Sequence, residues 1–310
     1  MDGKDFQSRY ETEIRPQLQE FDRNIAGQLP WGWSLAAGGA VLTALSFARF
    51  PALALVFLVS AVVGFSMLWM ASRRKRQCFK TLLLPEVLRV KYPTLRYTPD
   101  DGIGRETFRD TRLFGSFDRY RSEDHFTGNL GATQVELSEI RAERRVQDKN
   151  GSHYVTVFHG LMLIADGNKE FHGRTAVFPD VAERMFGSLL GKFLQNCNLL
   201  EDQAVRLEDP EFEKYFSVYS TDQVEARYLL SPSMMARLTA LRQRLDSNVR
   251  VLFDGGKITV AIDLKSSWLE PPAFGALADP AVVAKIETEL DSVFGIVTEL
   301  DLNTRIWTKQ

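Results

Sequence analysis

The stretch from Leu207 to Pro232 concentrates the side chains best suited to acid–base or cation chemistry. It holds Glu208, Asp209, Glu211, Glu213, Asp222 and Glu225, interleaved with Phe212, Tyr215, Phe216, Tyr219 and Tyr228. If Asp222 to Leu230 is helical, Asp222 and Glu225 share a face, because residues three apart are neighbours on a helix surface. Two carboxylates brought together there could hold a cation through oxygen ligands or work as an acid–base pair. Arg227 offers the opposite outcome, neutralising Glu208, Asp209 or Asp222 in an ion pair that organises the fold. The structural outcome is favoured, since an acid pair also needs a cleft and a perturbed pKa to catalyse. Glu208, Asp209, Asp222, Glu225, Arg227 and Tyr228 are therefore carried forward as an interaction or structural cluster.

Other chemistry has little support. Of His125, His153, His159 and His172, none pairs with another His or a Cys at metal-ligand spacing, so no metal site is expected, and His159, in a strand candidate, reads as structural. There is no P-loop, no GxGxxG opening a helix after a strand and no GxSxG, so no cofactor is expected and the chain reads away from an enzyme. Gly187-Ser188-Leu189-Leu190-Gly191 lies within an apolar helical pattern and reads as close packing. Cys78 and Cys197 suit a reducing compartment and are too few for a disulfide framework. The balance of 38 basic and 40 acidic residues, with a pI near 6.2, gives no general attraction for nucleic acid.

These side chains must be positioned by an α+β fold with antiparallel sheet. Strand texture runs through Asp124–Leu130, Thr133–Arg144, His153–Ala165 and Phe171–Phe178. Turn signals at Gly131, Asn150-Gly151 and Asp166-Gly167-Asn168 separate the runs, which predicts a meander. Apolar residues from Val181 to Leu194 recur in pairs four apart and predict a covering helix over about 180–197. Ser220-Thr221-Asp222-Gln223 fits a helix start, and Ser231-Pro232 supplies an N-cap and first-turn proline for a helix to about Leu245. Val249–Phe253 and Ile258–Ile262 alternate around Gly255-Gly256 as a β-hairpin. Asp279-Pro280 opens a last helix.

Ahead of this lies a different texture. From Ala52 to Ala71 every residue is apolar or small except Ser60 and Ser66, the length of roughly 20 residues that crosses a bilayer as a helix. A shorter stretch, Trp31–Ala48, precedes it and is diluted by Ser34, Gly38, Gly39, Thr43 and Ser46. With Ala48-Arg49-Phe50-Pro51 between them, the two predict a transmembrane α-hairpin over 31–71. Ser60 and Gly64 give its second arm a small-residue face for close helix approach. Arg73, Arg74, Lys75 and Arg76 crowd its exit while the connection holds only Arg49, which orients both termini to the cytoplasm. A signal peptide fits poorly, because residues 1–30 are rich in Asp and Glu. Those residues carry apolar positions every three or four from Phe6 to Ile25, an amphipathic arm with a kink expected at Pro16. Cys78–Tyr92 reads as a continuation of the second span. The expected organisation is then an arm at 1–30, the hairpin at 31–71, a lobe at 77–203 with meander and helix, and a second α+β lobe at 204–310 of the same cytoplasmic unit.

The hairpin followed by Leu207–Pro232, with Ser116-Phe117-Asp118-Arg119-Tyr120 and Phe158-His159-Gly160 upstream, resembles a bacterial membrane protein family catalogued as domain of unknown function 3137. Glu208-Asp209-Pro210-Glu211-Phe212-Glu213 to Glu225-Ala226-Arg227-Tyr228 is the most specific part. The resemblance implies the architecture without an activity, and a LemA-type membrane protein as one candidate partner. The expectation overall is a multi-pass protein of a bacterial inner membrane, in contact with the lipid bilayer and able to self-associate. Its cytoplasmic domain would act as a tethered adaptor that binds another protein or lipid headgroups. The alternative is a membrane-bound hydrolase or transferase using the carboxylates of 208–225.

Overall fold

The computed structural model describes residues 10–149, 151–167, 170–179, 203–273 and 275–300. The helix expected over 180–197, with Cys197 and the Gly187–Gly191 motif, lies outside them. Two compact units result, Met1–Lys91 with Leu269–Glu289, and Tyr92–Trp268 with Leu290–Gln310.

The first unit is built on two long helices. Helix α1 (Arg15–Ser46) begins with Pro16 in its first turn, directly after a π-helical turn at Tyr10–Ile14. The distortion expected at Pro16 is thus taken up as a local widening of the helix, and the arm and the first apolar stretch form one continuous rod. Helix α2 (Pro51–Cys78) starts on the proline, whose fixed φ suits a first turn. A π-helical turn at Phe79–Leu83 carries it into α3 (Leu84–Lys91). Pro85 would clash with the carbonyl four residues back in a regular helix, and a wide turn just before it relieves that clash.

The two helices pack antiparallel on small residues. A Cβ on Gly64 would stand 2.3 Å from the Ala36 nitrogen and 2.7 Å from the Gly32 carbonyl oxygen. One on Gly39 would stand 2.6 Å from the Ala61 nitrogen. A helical hairpin is therefore present, but only one of its arms satisfies the length and polarity of a membrane span. Among the described residues the single helix long and apolar enough is the continuous Pro51–Lys91 run. The physical reason is the dilution of α1 by Gly, Ser and Thr, of which Gly32 and Gly39 sit at the contact with α2.

The second unit is organised by one nine-stranded sheet: β1 (Leu95–Thr98), β2 (Arg119–Leu130), β3 (Thr133–Asp148), β4 (Gly151–Asp166), β5 (Thr175–Pro179), β6 (Gln203–Val205), β7 (Phe216–Ser220), β8 (Val249–Asp254) and β9 (Lys257–Asp263). Its order is β1-β2-β3-β4-β9-β8-β5-β7-β6, with every neighbouring pair antiparallel. The predicted meander is β2-β3-β4. The fourth run does not extend it, because β5 inserts between β8 and β7 instead. The β8–β9 hairpin joins β4 through β9, so strands from both expected lobes share one sheet.

Burial explains the central position of β4. Leu161-Met162-Leu163-Ile164-Ala165 is an unbroken apolar run, all of it buried, as a strand covered on both faces must be. On one face Met162 and Ile164 join Ile103, Phe108, Ile140 and Phe158, with Phe108 and Phe114 stacked at 4.8 Å. On the other, Phe126 packs on Trp268 at 5.5 Å and Phe294 at 5.6 Å. Short helices α4 (Arg105–Asp110), α5 (Gln223–Leu229) and α6 (Pro232–Leu245) join the strands, and α7 (Pro280–Glu299) contributes Phe294. Ser231 caps α6 and Pro232 opens it, as expected.

Candidate functional site

The carboxylate-rich segment folds as a turn, a strand and a helix, and each of its central acids has backbone work. Asp209 Oδ1 accepts from the Glu211 and Phe212 amides, both at 3.0 Å, and so starts the 3₁₀ turn Phe212–Lys214. Asp222, rather than Ser220, is the N-cap of α5. Its Oδ1 accepts from Val224 N at 2.9 Å and Glu225 N at 3.0 Å, satisfying amides that a helix start leaves open. Ser220 stays at the end of β7, where its hydroxyl receives the Asp222 amide.

Glu225 is buried, and its carboxylate grips the loop before β5. The His172 amide donates to Oε1 at 3.1 Å and the Gly173 amide to Oε2 at 2.6 Å. Gly173 has to be glycine for this approach, since a Cβ there would lie 2.8 Å from that of Asp222 and 3.2 Å from Glu225 Oε2. Next to it Arg174, also buried, donates from Nη2 to the Thr111 carbonyl at 2.7 Å, and its own amide donates to Thr221 Oγ1 at 2.9 Å. Asp222 and Glu225 are thus brought to one loop, but as acceptors of backbone amides.

The remaining members of the cluster go elsewhere. Glu208 is exposed. Arg227 is exposed too and donates to the Gln223 carbonyl at 3.1 Å and to its side chain. This corrects the expected ion pair with Glu208, Asp209 or Asp222: on a helix Arg227 falls one turn beyond Gln223 and faces solvent. Tyr228 is on the outer side of α5, 56% exposed. A groove of about 370 Å³ opens along β6 and β7, lined by Val205, Arg206, Leu207, Phe212, Glu213 and Phe216. None of Asp222, Glu225 and His159 lines it. Among the described residues no three His, Cys, Asp or Glu side chains converge as metal ligands would.

Sequence reading did not single out two buried polar pairs. Glu139 on β3 meets His159 on β4, and Asp124 sits fully buried at a bulge in β2, with φ of 58°, receiving the Tyr97 hydroxyl at 2.5 Å. Burial first, and the Asp124 charge next, push the Tyr97 phenol well above its ordinary range. The positive φ at Asp124 had no sequence signal beyond Asp being among the few residues that tolerate it.

The basic run at the end of α2 is divided in its duties. Lys75 donates to the carbonyls of Pro272 at 2.7 Å and Gly275 at 2.8 Å, and Arg76 pairs with Glu270 at 2.6 Å, so both hold the 269–280 segment. Arg73 and Arg74 are exposed, and the Arg73 guanidinium stands over the Trp69 ring at 4.6 Å.

Residues 156–302 match the model of the family described as protein of unknown function, DUF3137. The match supports the family resemblance over that region, while the hairpin and Ser116–Tyr120 lie outside it. The matched region takes in β5 to β9, most of β4 and all six residues of the cluster, and it begins well after α2. Among solved structures, the mycobacterial trehalose monomycolate transport factor A, TtfA, aligns with 73% of this chain and 94% of its own, at 10% identity and a TM-score of 0.36. No curated protein matches the chain.

Proposed function

We propose that this protein is anchored in a bacterial inner membrane by α2, with the sheet-bearing unit on the cytoplasmic side acting as an adaptor for a protein partner. One observation carries the reading: the apolar surface of α2 is left uncovered by the described residues. Leu55, Val56, Val62 and Phe65 are each at least 60% exposed, as are Trp31, Leu45 and Phe47 on and beside α1. Water-exposed apolar area of that extent needs an apolar partner, and a helix of this length matches hydrocarbon thickness. The Trp31–Phe47 end of α1 enters alongside it, completing the hairpin. Trp69 with Arg73 above it marks the headgroup level, and Arg73 and Arg74 set the side. The alternative of a hydrolase or transferase is disfavoured, since Asp209, Asp222 and Glu225 already serve backbone amides.

The test is fractionation and topology mapping of the full chain. It should resist alkaline carbonate extraction. Alkaline phosphatase fused after Gln310 should be inactive, and a cysteine at Arg49, in a chain with Cys78 and Cys197 replaced by Ser, should react with a periplasmic thiol reagent. Extraction by carbonate, or an active phosphatase fusion, overturns the anchoring.

A further inference from the structure

The β2-β3-β4 ribbon outruns the rest of the sheet, and among the described residues one of its edges is left unpaired. Strand β4 pairs with β9 only from Gly160 to Asp166, while its pairing with β3 continues to Gly151. Val157 is an extra residue in β4, a bulge that separates the half paired on both sides from the half paired on one. Among the described residues no strand or backbone group pairs with the outer side of Gly151-Ser152-His153-Tyr154-Val155-Thr156. These residues are exposed apart from half-buried Val155.

The other edges carry the usual protections against strand addition. Strand β1 has four residues and β6 has three. The part of β2 that β1 leaves uncovered carries Arg119, Arg121 and Glu123 and ends in the bulge at Asp124. The β4 edge has six residues in extended conformation with no Asp, Glu, Lys, Arg or Pro, and it ends in the β-formers Tyr154, Val155 and Thr156. Its neighbour β3, already satisfied, holds Arg141, Glu143, Arg144, Arg145 and Asp148.

We propose that this edge pairs antiparallel, about a two-fold axis, with the same edge of a second copy of the chain, joining the two sheets. A two-fold edge contact sets each residue opposite another of the same six, so the segment must be compatible with itself. The six residues carry no formal charge of their own, so no like-charge pair arises within the segment in any register. The charged side chains that touch it belong to β2 and β3: Arg145 at Ser152 at 2.8 Å, Arg119 over the Tyr154 ring at 3.5 Å and Asp148 3.7 Å from His153. The inference rests on β4 and is independent of the anchoring reading.

The test uses the full chain in detergent. Size-exclusion chromatography with light scattering should give a protein mass of twice 35.2 kDa. Ser152→Lys with Thr156→Lys puts like charges across the axis and should raise the dimer dissociation constant by about tenfold or more. Circular dichroism checks that the variant folds. If it does not, disulfide trapping decides, with Cys78 and Cys197 replaced by Ser. A cysteine scan over Ser152, Tyr154 and Thr156 should give a cross-linked dimer, while Arg96→Cys on β1 should not. A monomeric wild-type chain, a dimer unmoved by a folded Lys variant, or equal cross-linking from β1 overturns the proposal.

Discussion

His159 Nε2 on β4 lies 3.0 Å from Glu139 Oε1 on β3, and that carboxylate is only 4% exposed at its side chain. The other oxygen, Oε2, receives the Trp268 amide at 2.8 Å. One buried acid therefore ties two central strands to the segment that leaves β9. Glu139→Ala should cost about 2–3 kcal/mol, since it leaves a buried amide without its acceptor. Glu139→Gln keeps an acceptor and should cost about half of that. Thermal melts of both variants in detergent, with Trp fluorescence as the probe, check the order.

Glu225 and Arg227 are two residues apart and should behave in opposite ways. Glu225→Ala strands the His172 and Gly173 amides and should lower stability by about 2–3 kcal/mol. Arg227→Ala removes an exposed side chain and should fall within about 0.5 kcal/mol of the wild type. Asp222→Ala, which deletes an N-cap, should lie between them at about 1 kcal/mol. If Arg227→Ala instead abolishes partner capture while leaving the melt unchanged, the outer face of α5 is a contact surface.

Tyr97 makes the sheet unit sensitive to alkali. Its phenol is held up in the folded state but ionises near 10.0 when unfolded, so folding binds the proton more tightly. The stability this contributes is complete below pH 10 and is lost as pH climbs past it. Tyr97→Phe should flatten the decline above pH 10 and cost about 1 kcal/mol at neutral pH. Melting temperature followed from pH 8 to 11 in both chains is the measurement.

Adjacent glycines in α1 should separate helix contact from helix propensity. A Cβ at Gly38 meets nothing within 4 Å, whereas one at Gly39 meets the backbone of α2 at Ala61 and Phe57. Gly38→Ala should be neutral or stabilising by up to about 1 kcal/mol. Gly39→Ala should destabilise by about 1–3 kcal/mol through overpacking. Equal melts for the two would mean that the helices are not held at this distance.

Much of the second unit was legible because its signals are local. Alternation predicts β2, β3, β4, β8 and β9, Gly255-Gly256 the tight turn, and Ser231-Pro232 the start of α6, since each depends only on the preferences of a few neighbouring residues. Strand β7 was hidden within an acidic, aromatic segment, and β1 and β6 are too short to show a period. Six residues stood out in the sequence as one cluster, yet only Asp222 and Glu225 meet at one loop. The partners of Glu225 were not legible, because the amides it holds belong to residues more than fifty positions earlier.

What the chain determined by itself is which segments are apolar, where they turn and where basic residues close them, for these follow from side-chain hydration and backbone freedom. Which strand lies beside which was decided only in three dimensions. Insertion of β5 between β7 and β8, and pairing of β9 with β4 over Gly160–Asp166 alone, follow from hydrogen bonds between segments remote in sequence. Those bonds carry no mark in the residues that make them, because a backbone amide is the same in every strand.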